Sequence, residues 1–275
     1  MREPAEKPDT DLPVTSSVPD ELPPEQEALF REVLTLFEKE QLPYAVSGGF
    51  AMRQHTGICR FTKDLDIFLC PADASRALSL LRKKGFVCEV SDPVWLAKAH
   101  RDGYFVDLIT GMSNGAITVD RSWIERARPA TVVGVQSAIL ASAELIASKL
   151  FVTRRERFDG ADITHIIFAL RGKLQWDRVL ELAGEHWELV LWHLLLFRYV
   201  YPGQSDYIPA SLWNDLLSRF SSAVRSPDPT ARFRGSLIDP RMFAIDVDEW
   251  GLDDVLRECR DRRIKIQCPP NSRPA

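Results

Sequence analysis

The sequence predicts an α+β fold with α/β character: an N-terminal domain with a mixed β-sheet flanked by helices, then a helical C-terminal domain. Up to about residue 140, short apolar runs with strand character alternate with segments of helical periodicity. From about residue 143 onward, the periodicity is helical throughout. The predicted organisation is a disordered tail over 1–24, a sheet domain over 25–140, a helical domain over 141–223 and an irregular C-terminal extension over 224–275.

The tail and the first helix are separated by composition. Residues 1–24 contain six of the 18 prolines and almost no large apolar side chain, so this stretch cannot bury enough surface to become ordered. The apolar residues Phe30, Val33 and Phe37 then recur at helical spacing and predict a helix over about 25–40.

Further elements are predicted from apolar runs and turn residues. In the first half they are a strand at 44–46, a helix from Ser47-Gly48-Gly49 to about His55, a strand at 64–69, a helix through Ala74, Leu78 and Leu81, and strands at 86–90, 94–99 and 104–110, the last two joined by a turn at 101–103. In the second half they are helices at 143–153, 160–171, 176–183, 187–199 and 210–223.

Composition excludes several classes of protein. A charged fraction of 27% with 45% apolar residues is typical of a soluble globular chain. No apolar run approaches the roughly 20 residues of a membrane span, and the N-terminus lacks the apolar stretch of a secretory signal. A net charge of −4 excludes a protein that is basic over its whole surface. The five cysteines are odd in number and form no CxxC pair, which favours free thiols in a reducing cytoplasm. Because no apolar run is long enough to span a bilayer, no membrane partner is expected.

The segment Val46-Ser47-Gly48-Gly49 places two glycines between a predicted strand and a predicted helix. Glycines at this position let the backbone approach a ligand closely. The amides at the N-terminus of the following helix suit a phosphate. The sequence therefore predicts a phosphate-binding turn here.

An acidic pair follows on the next predicted strand. Residues i and i+2 of a strand point to the same side, so Asp64 and Asp66 share one face while Leu65 and Ile67 face the core. A third acid, Asp107, lies in an apolar strand where a lone carboxylate is costly unless it is paired or bound to a metal. Carboxylates side by side suit Mg²⁺.

A second acid-x-acid pair competes with this assignment. Gly235-Ser236 precedes Asp246-Val247-Asp248 at a spacing that fits a glycine turn followed by an acidic strand better than the spacing of the first pair does. Asp239-Pro240 interrupts any helix between them, and no later apolar strand supplies a third acid. The pair at 64 and 66 is therefore the preferred candidate.

The glycine turn, the acidic pair and the third acid resemble the pattern of the polymerase-β-like nucleotidyltransferase superfamily, and within it the bacterial group that includes abortive-infection toxins. The resemblance implies metal-dependent transfer of a nucleoside monophosphate from an NTP to an acceptor hydroxyl, with release of pyrophosphate. It implies Mg²⁺ or Mn²⁺ as cofactor, a tRNA, small molecule or protein as acceptor, and a cognate antitoxin as partner. By this resemblance Asp64, Asp66 and Asp107 are the catalytic and metal-binding residues, and Ser47, Gly48 and Gly49 cradle phosphates.

That bacterial group adds a Lys-x4-Arg element and a further Asp, which correspond here to Lys149, Arg154 and Asp162. Residues five positions apart on a helix point in directions that differ by about 140°. The side chains of Lys149 and Arg154 therefore converge only if the helix ends near Thr153 or if both side chains bend inward. A solvated basic helix end is the alternative. Asp162 is otherwise a plain helix residue, and Asp159 is a candidate N-cap.

Arg60 and Lys63 flank the acidic pair and are either phosphate ligands or surface residues. The basic run at 257–265 either contacts an RNA acceptor or forms a solvated face. The alternative for the whole chain is a catalytically inactive nucleotide- or partner-binding module on the same fold.

Overall fold

The computed structural model describes residues 22–60 and 62–267. Most of the predicted tail, residues 1–21, lies outside them. The first half contains α1 Pro24–Lys39, β1 Ala45–Val46, α2 Gly48–Thr56, β2 Asp64–Phe68, α3 Pro71–Lys83, β3 Val87–Asp92, β4 Leu96–Arg101, β5 Tyr104–Ile109, α4 Arg121–Glu125, β6 Arg128–Val132 and β7 Val135–Ile139. The second half contains α5 Ser142–Ala147, α6 Gly160–Ala169, α7 Trp176–Ala183, α8 Trp187–Val200, α9 Ala210–Arg225, α10 Gly235–Ile238, α11 Ala244–Asp248 and α12 Val255–Asp261, with 3-10 turns at Gly184–His186 and Pro202–Tyr207.

The strands form a seven-stranded sheet in the order β3-β4-β5-β2-β1-β7-β6. The β2–β5 and β1–β7 pairs are parallel, and the remaining neighbours are antiparallel. The sheet is therefore mixed, and the predicted α+β fold class is confirmed. Because β2 and β5 are parallel neighbours, Asp66 lies directly opposite Asp107.

Helix α1 covers one part of the sheet because its apolar residues recur on a single face. Phe30, Val33 and Phe37 are fully buried, and the helix contacts β5 and β7. Helix α3 packs beside it, against β3 and β4. Within β2, Leu65 and Ile67 are fully buried, which leaves the alternate face to the acidic side chains.

The hairpin of β6 and β7 extends the sheet beyond the strands that sequence periodicity located. Its turn places Val133 and Gly134 at φ values of 43° and 79°. This double left-handed turn matches the twist of paired strands. Valine is unusual in this conformation, which explains why the turn has no clear sequence signal.

The helix predicted over 143–153 is wrong in length, since α5 ends at Ala147. The chain beyond it turns back, and Thr153 bridges to Phe158 in an antiparallel contact. Tertiary contacts outweigh helical periodicity in this segment.

Among the remaining helices, α6, α7 and α9 each pack against α8. A buried ion pair between Arg178 and Glu144, 2.9 Å long, joins α7 to α5. One cluster of buried apolar residues extends from Leu29 to Ile266, and the domain boundaries at 140 and 223 stay a prediction. Every helix within 22–60 and 62–267 is too short or too polar to cross a bilayer.

Candidate active site

Three aspartates converge on the sheet face that the strand alternation leaves open. Ligand oxygens of Asp64, Asp66 and Asp107 all lie within 4.8 Å of one another. The first two lie two residues apart on β2, and the register of β2 with β5 brings the third beside them. The arrangement follows from strand periodicity and one parallel pairing.

The electrostatics of this group favour a bound cation. Burial, followed by the charges of Asp64 and Asp107, raises the pKa of Asp66 to about 7. Burial also raises the pKa of Asp107, against the opposing effect of Lys98. Carboxylates whose charges are this poorly compensated are stabilised by a hard cation with oxygen ligands, so the residues fit Mg²⁺ or Mn²⁺.

Lys98 is a functional candidate that the sequence reasoning missed. It lies opposite Asp107 on β4, and its Nζ donates to both carboxylate oxygens at 2.8 Å. The turn at Asp102-Gly103 pairs Arg101 with Tyr104. Three residues away from this pair, β4 has Lys98 and β5 has Asp107. This pairing could therefore have been derived from the sequence.

The glycine turn lies against the same carboxylates. The Ser47 amide donates to the carbonyl of Asp66 at 2.9 Å. Gly48 has a φ of 56°, and a Cβ there would collide with the Asp66 carboxylate. Gly49 is less constrained, since its Cβ would lie 3.4 Å from Thr62. The N-terminus of α2 therefore begins beside Asp66, and Gly48 is the glycine that this approach requires.

A charged network forms the wall facing the sheet. Lys149, 7% exposed, donates from Nζ to Asp159 at 2.9 Å and to Asp162 at 2.8 Å. Arg60 binds Asp162, and Arg157 binds Asp159. Asp159 and Asp162 thus hold Lys149 in place, and Arg157 and Arg60 in turn hold the two carboxylates.

The N-cap prediction for Asp159 is half right. The residue occupies the N-cap position of α6, but its side chain makes no capping hydrogen bond. It accepts from Lys149 and Arg157 instead. Two charged donors are stronger partners for a carboxylate than one backbone amide.

The two walls enclose a cavity of about 330 Å³. Because α5 ends early, Lys149 and Arg154 both reach it, and Arg154 also binds the Ser113 hydroxyl. Of the predicted site residues, those lining the cavity are Ser47, Gly48, Asp64, Asp66, Asp107, Lys149 and Arg154. Gly49, Arg60, Lys63 and Asp162 lie outside the lining.

The cavity also has an apolar side that sequence reasoning did not locate. Phe68 and Ile109 continue the sheet face beyond the acids, and Trp95, Met112 and Phe151 come from loops. Loop residues carry no periodicity, so their convergence depends on the tertiary fold. Arg157, also missed, adds positive charge on the opposite wall.

The competing acidic pair does not form a comparable site. Asp246 and Asp248 lie on the short helix α11, where residues i and i+2 do not face the same side. The carboxylate group of the described residues that suits a metal is the one at 64, 66 and 107.

The sequence pattern of a family described as "Uncharacterised nucleotidyltransferase" matches residues 25–197. The chain belongs to this family. The match confirms the resemblance to polymerase-β-like nucleotidyltransferases, and membership of the abortive-infection-toxin group stays a prediction. No curated protein matches the sequence.

Several solved structures are similar to this nucleotidyltransferase. The solution structure of the antibiotic-resistance factor ANT(2'')-Ia has 17% identity over 62% of this chain and 96% of that chain, with a TM-score of 0.44. A putative nucleotidyltransferase from Thermotoga maritima has 16% identity over 50% of this chain and 89% of that chain, with a TM-score of 0.40. The lincosamide antibiotic adenylyltransferase LnuA, in its lincomycin-bound form, has 15% identity over 52% and 95%, with a TM-score of 0.37.

Proposed function

We propose that this nucleotidyltransferase moves a nucleoside monophosphate from an NTP to an acceptor hydroxyl, with release of pyrophosphate, in a metal-dependent reaction. The observation that carries the proposal is the convergence of Asp64, Asp66 and Asp107 within 4.8 Å beside the Gly48 turn. Family membership supports the transfer chemistry. The metal, the acceptor and the product are the proposed parts.

Asp64, Asp66 and Asp107 would hold Mg²⁺, or Mn²⁺ in its place. Such an ion neutralises the triphosphate and stabilises the oxygens of an in-line displacement. The raised pKa of Asp66 supports this role, because burial and the neighbouring charges of Asp64 and Asp107 disfavour its ionised form, which a bound cation would stabilise.

The chain binds the triphosphate from two sides in this proposal. The amides of Gly48 and Gly49, with the Ser47 hydroxyl, receive the terminal phosphates at the N-terminus of α2. Lys149 and Arg154 face them from the opposite wall. Because Lys149 is already fixed by Asp159 and Asp162, it needs little reordering when the nucleotide binds.

Asp107 would accept the proton of the acceptor hydroxyl. It lies on β5, one strand farther from the glycine turn than β2, the strand that carries Asp64 and Asp66. Lys98 holds both of its carboxylate oxygens and so fixes its orientation. A base of this kind has to lie within hydrogen-bond reach of the proton that it removes.

The test is incubation with each α-³²P-labelled NTP, Mg²⁺ and separate tRNA, small-molecule and protein fractions of a cell extract. We expect one fraction to become labelled, with release of pyrophosphate. Asp66→Asn should lower labelling by at least about a hundredfold, since even indirect support of a metal ligand is worth that much. Asp248→Asn, from the competing acidic pair, is the matched control and should label like the wild type.

Equal labelling by Asp66→Asn and the wild type would contradict the site assignment. Binding of MgATP without labelling of any fraction would instead support the inactive binding module. Co-purification of a small cognate protein that blocks labelling would support the antitoxin expectation.

A further inference from the structure

The segment 235–267 lies beyond the family match, which ends at residue 197. It nevertheless packs behind two loops of the cavity. One is the cleft loop, residues 111–117, which supplies Gly111, Met112 and Ser113 to the cavity wall. The other is the strand turn, residues 92–95, which supplies Trp95.

Arg260 of α12 joins these two loops. Its Nη2 lies 2.9 and 3.0 Å from the carboxylate oxygens of Asp92, and its Nη1 donates to the Ser113 carbonyl. A guanidinium presents several donors in a fixed plane. One side chain therefore fixes the separation between the strand turn and the cleft loop.

Arg263, one helical turn further along, holds the far end of the cleft loop. It donates to the carbonyls of Gly115 and Ala116. Gly115 has a φ of 71°, and a Cβ there would lie 2.9 Å from the Cys259 carbonyl oxygen. The loop and the C-terminal helix thus approach at backbone distance, which only glycine permits at this position.

The same segment also contacts the wall that carries Arg154. Asp239, 3% exposed, accepts from the Arg155 amide at 3.4 Å. Asn114 of the cleft loop donates to the Leu237 carbonyl at 3.0 Å. Residues 235–267 therefore contact both sides of the catalytic cleft.

We propose that residues 235–267 form a clamp that sets the width of the catalytic cleft, with Arg260 and Arg263 as positioning residues for Ser113, Met112 and Trp95. The catalytic consequence of the clamp rests on the proposed function. In an in-line displacement the acceptor approaches opposite the leaving pyrophosphate. Phosphates at the Gly48 side place the acceptor at the Asp107 side, which the clamped loops border. The clamp thus acts on the acceptor more than on the NTP.

The basic run at 257–265 contains its own control. Arg257 and Arg262 have side chains 86% and 70% exposed, and they pair with Asp261 and Glu258 of the same helical segment. Arg260 and Arg263 are the two that reach the cavity loops. Part of this run is therefore a solvated face, and part is a structural contact with the catalytic domain.

The test compares Arg260→Ala/Arg263→Ala with Arg257→Ala/Arg262→Ala in the full-length protein. In hydrogen-exchange measurements, peptides covering 92–96 and 111–117 should exchange about tenfold faster in Arg260→Ala/Arg263→Ala than in the wild type. The same peptides should exchange at the wild-type rate in Arg257→Ala/Arg262→Ala. Labelling at a fixed amount of extract should fall about tenfold or more in the first pair, because small misplacements of substrate slow transfer strongly. Binding of Mg²⁺ with α,β-methylene-ATP should change by less than about threefold.

Unchanged exchange in a folded Arg260→Ala/Arg263→Ala variant would overturn the clamp. Faster exchange with wild-type labelling would also overturn it, because the contact would then be structural only. If that variant fails to fold, Asp92→Asn removes one partner of Arg260 and is judged by the same two measurements. If the wild type labels nothing, the proposed function fails, while exchange still decides whether the clamp exists.

Discussion

Two groups of aspartates face each other across the cleft, and their charges are compensated differently. On the sheet, burial and like charges raise the pKa of Asp66 to about 7. On the opposite wall, burial also acts on Asp159, but Arg157 and Lys149 hold its pKa below the usual value. In the first group Lys98 pairs with Asp107, yet the pKa of Asp66 stays raised, whereas both acids of the second group pair with Lys149. The aspartates of the sheet are therefore the candidate cation ligands, whereas Asp159 and Asp162 position Lys149.

The largest effect should follow from breaking the compensated group. Lys149→Met removes the cation between Asp159 and Asp162 and leaves two buried carboxylates without it. Removal of one partner from a buried ion pair typically costs about 3–5 kcal/mol. Because Arg157 still pairs with Asp159 and Arg60 with Asp162, we expect a loss near the lower end of that range, about 3 kcal/mol, in the free energy of unfolding. Urea unfolding measures it.

Two variants make this comparison decisive. Lys63→Met changes an exposed lysine outside the cavity lining and should leave stability within about 0.5 kcal/mol of wild type. Asp66→Asn, measured without metal, should be at least as stable as wild type, because it removes charge repulsion. A large loss in Asp66→Asn and none in Lys149→Met would reverse the assignment of the two groups.

The glycine turn gives an intermediate effect. Gly48→Ala adds a Cβ at a φ of 56° and into the Asp66 carboxylate, so we expect a loss of about 1–3 kcal/mol and loss of NTP binding. Gly49→Ala meets only Thr62 at 3.4 Å and should cost less than about 1 kcal/mol. Thermal unfolding and α,β-methylene-ATP binding measure both changes. Equal effects of the two substitutions would show that the approach of Gly48 to Asp66 is not the constraint.

The acidic group could be predicted because it depends on local rules. Asp64 and Asp66 share a face through the period of a strand, and Asp107 stands out as a lone acid in an apolar strand. The family match confirms the class of enzyme that this pattern predicts. The roles of individual residues stay predictions.

The opposite wall could not be predicted in the same way. Its geometry depends on α5 ending at Ala147, which helical periodicity did not indicate. Arg60 and Lys149 meet through Asp162, which lies 102 residues from Arg60 along the chain. Trp95 and the contacts of Arg260 depend on loops in the same way. Contacts of this range are set by packing of the whole chain rather than by local pattern.

The smallest effect concerns His193 of α8, whose ring contacts Leu150, the residue after Lys149. It is 1% exposed, its Nε2 lies 3.2 Å from the Leu150 carbonyl, and its Nδ1 has no hydrogen-bond partner among the described residues. Burial lowers its pKa below the ordinary value of 6.5. As the pH falls below about 6.5, His193 therefore binds a proton in the unfolded chain before it does so in the folded chain. This contribution to stability is complete above pH 6.5 and is lost as the pH falls toward the folded pKa.

His193→Gln should isolate that contribution, because glutamine can still donate to the Leu150 carbonyl but does not titrate. Urea unfolding of both proteins at pH 8, 6.5 and 5.5 measures the difference in their free energies of unfolding. We expect that difference to be constant from pH 8 to about 7 and to shift in favour of the variant by about 1 kcal/mol at pH 5.5. A difference that stays the same from pH 8 to pH 5.5 would mean that His193 takes up its proton equally in both states. The His193 ring would then contribute nothing to the loss of stability at low pH.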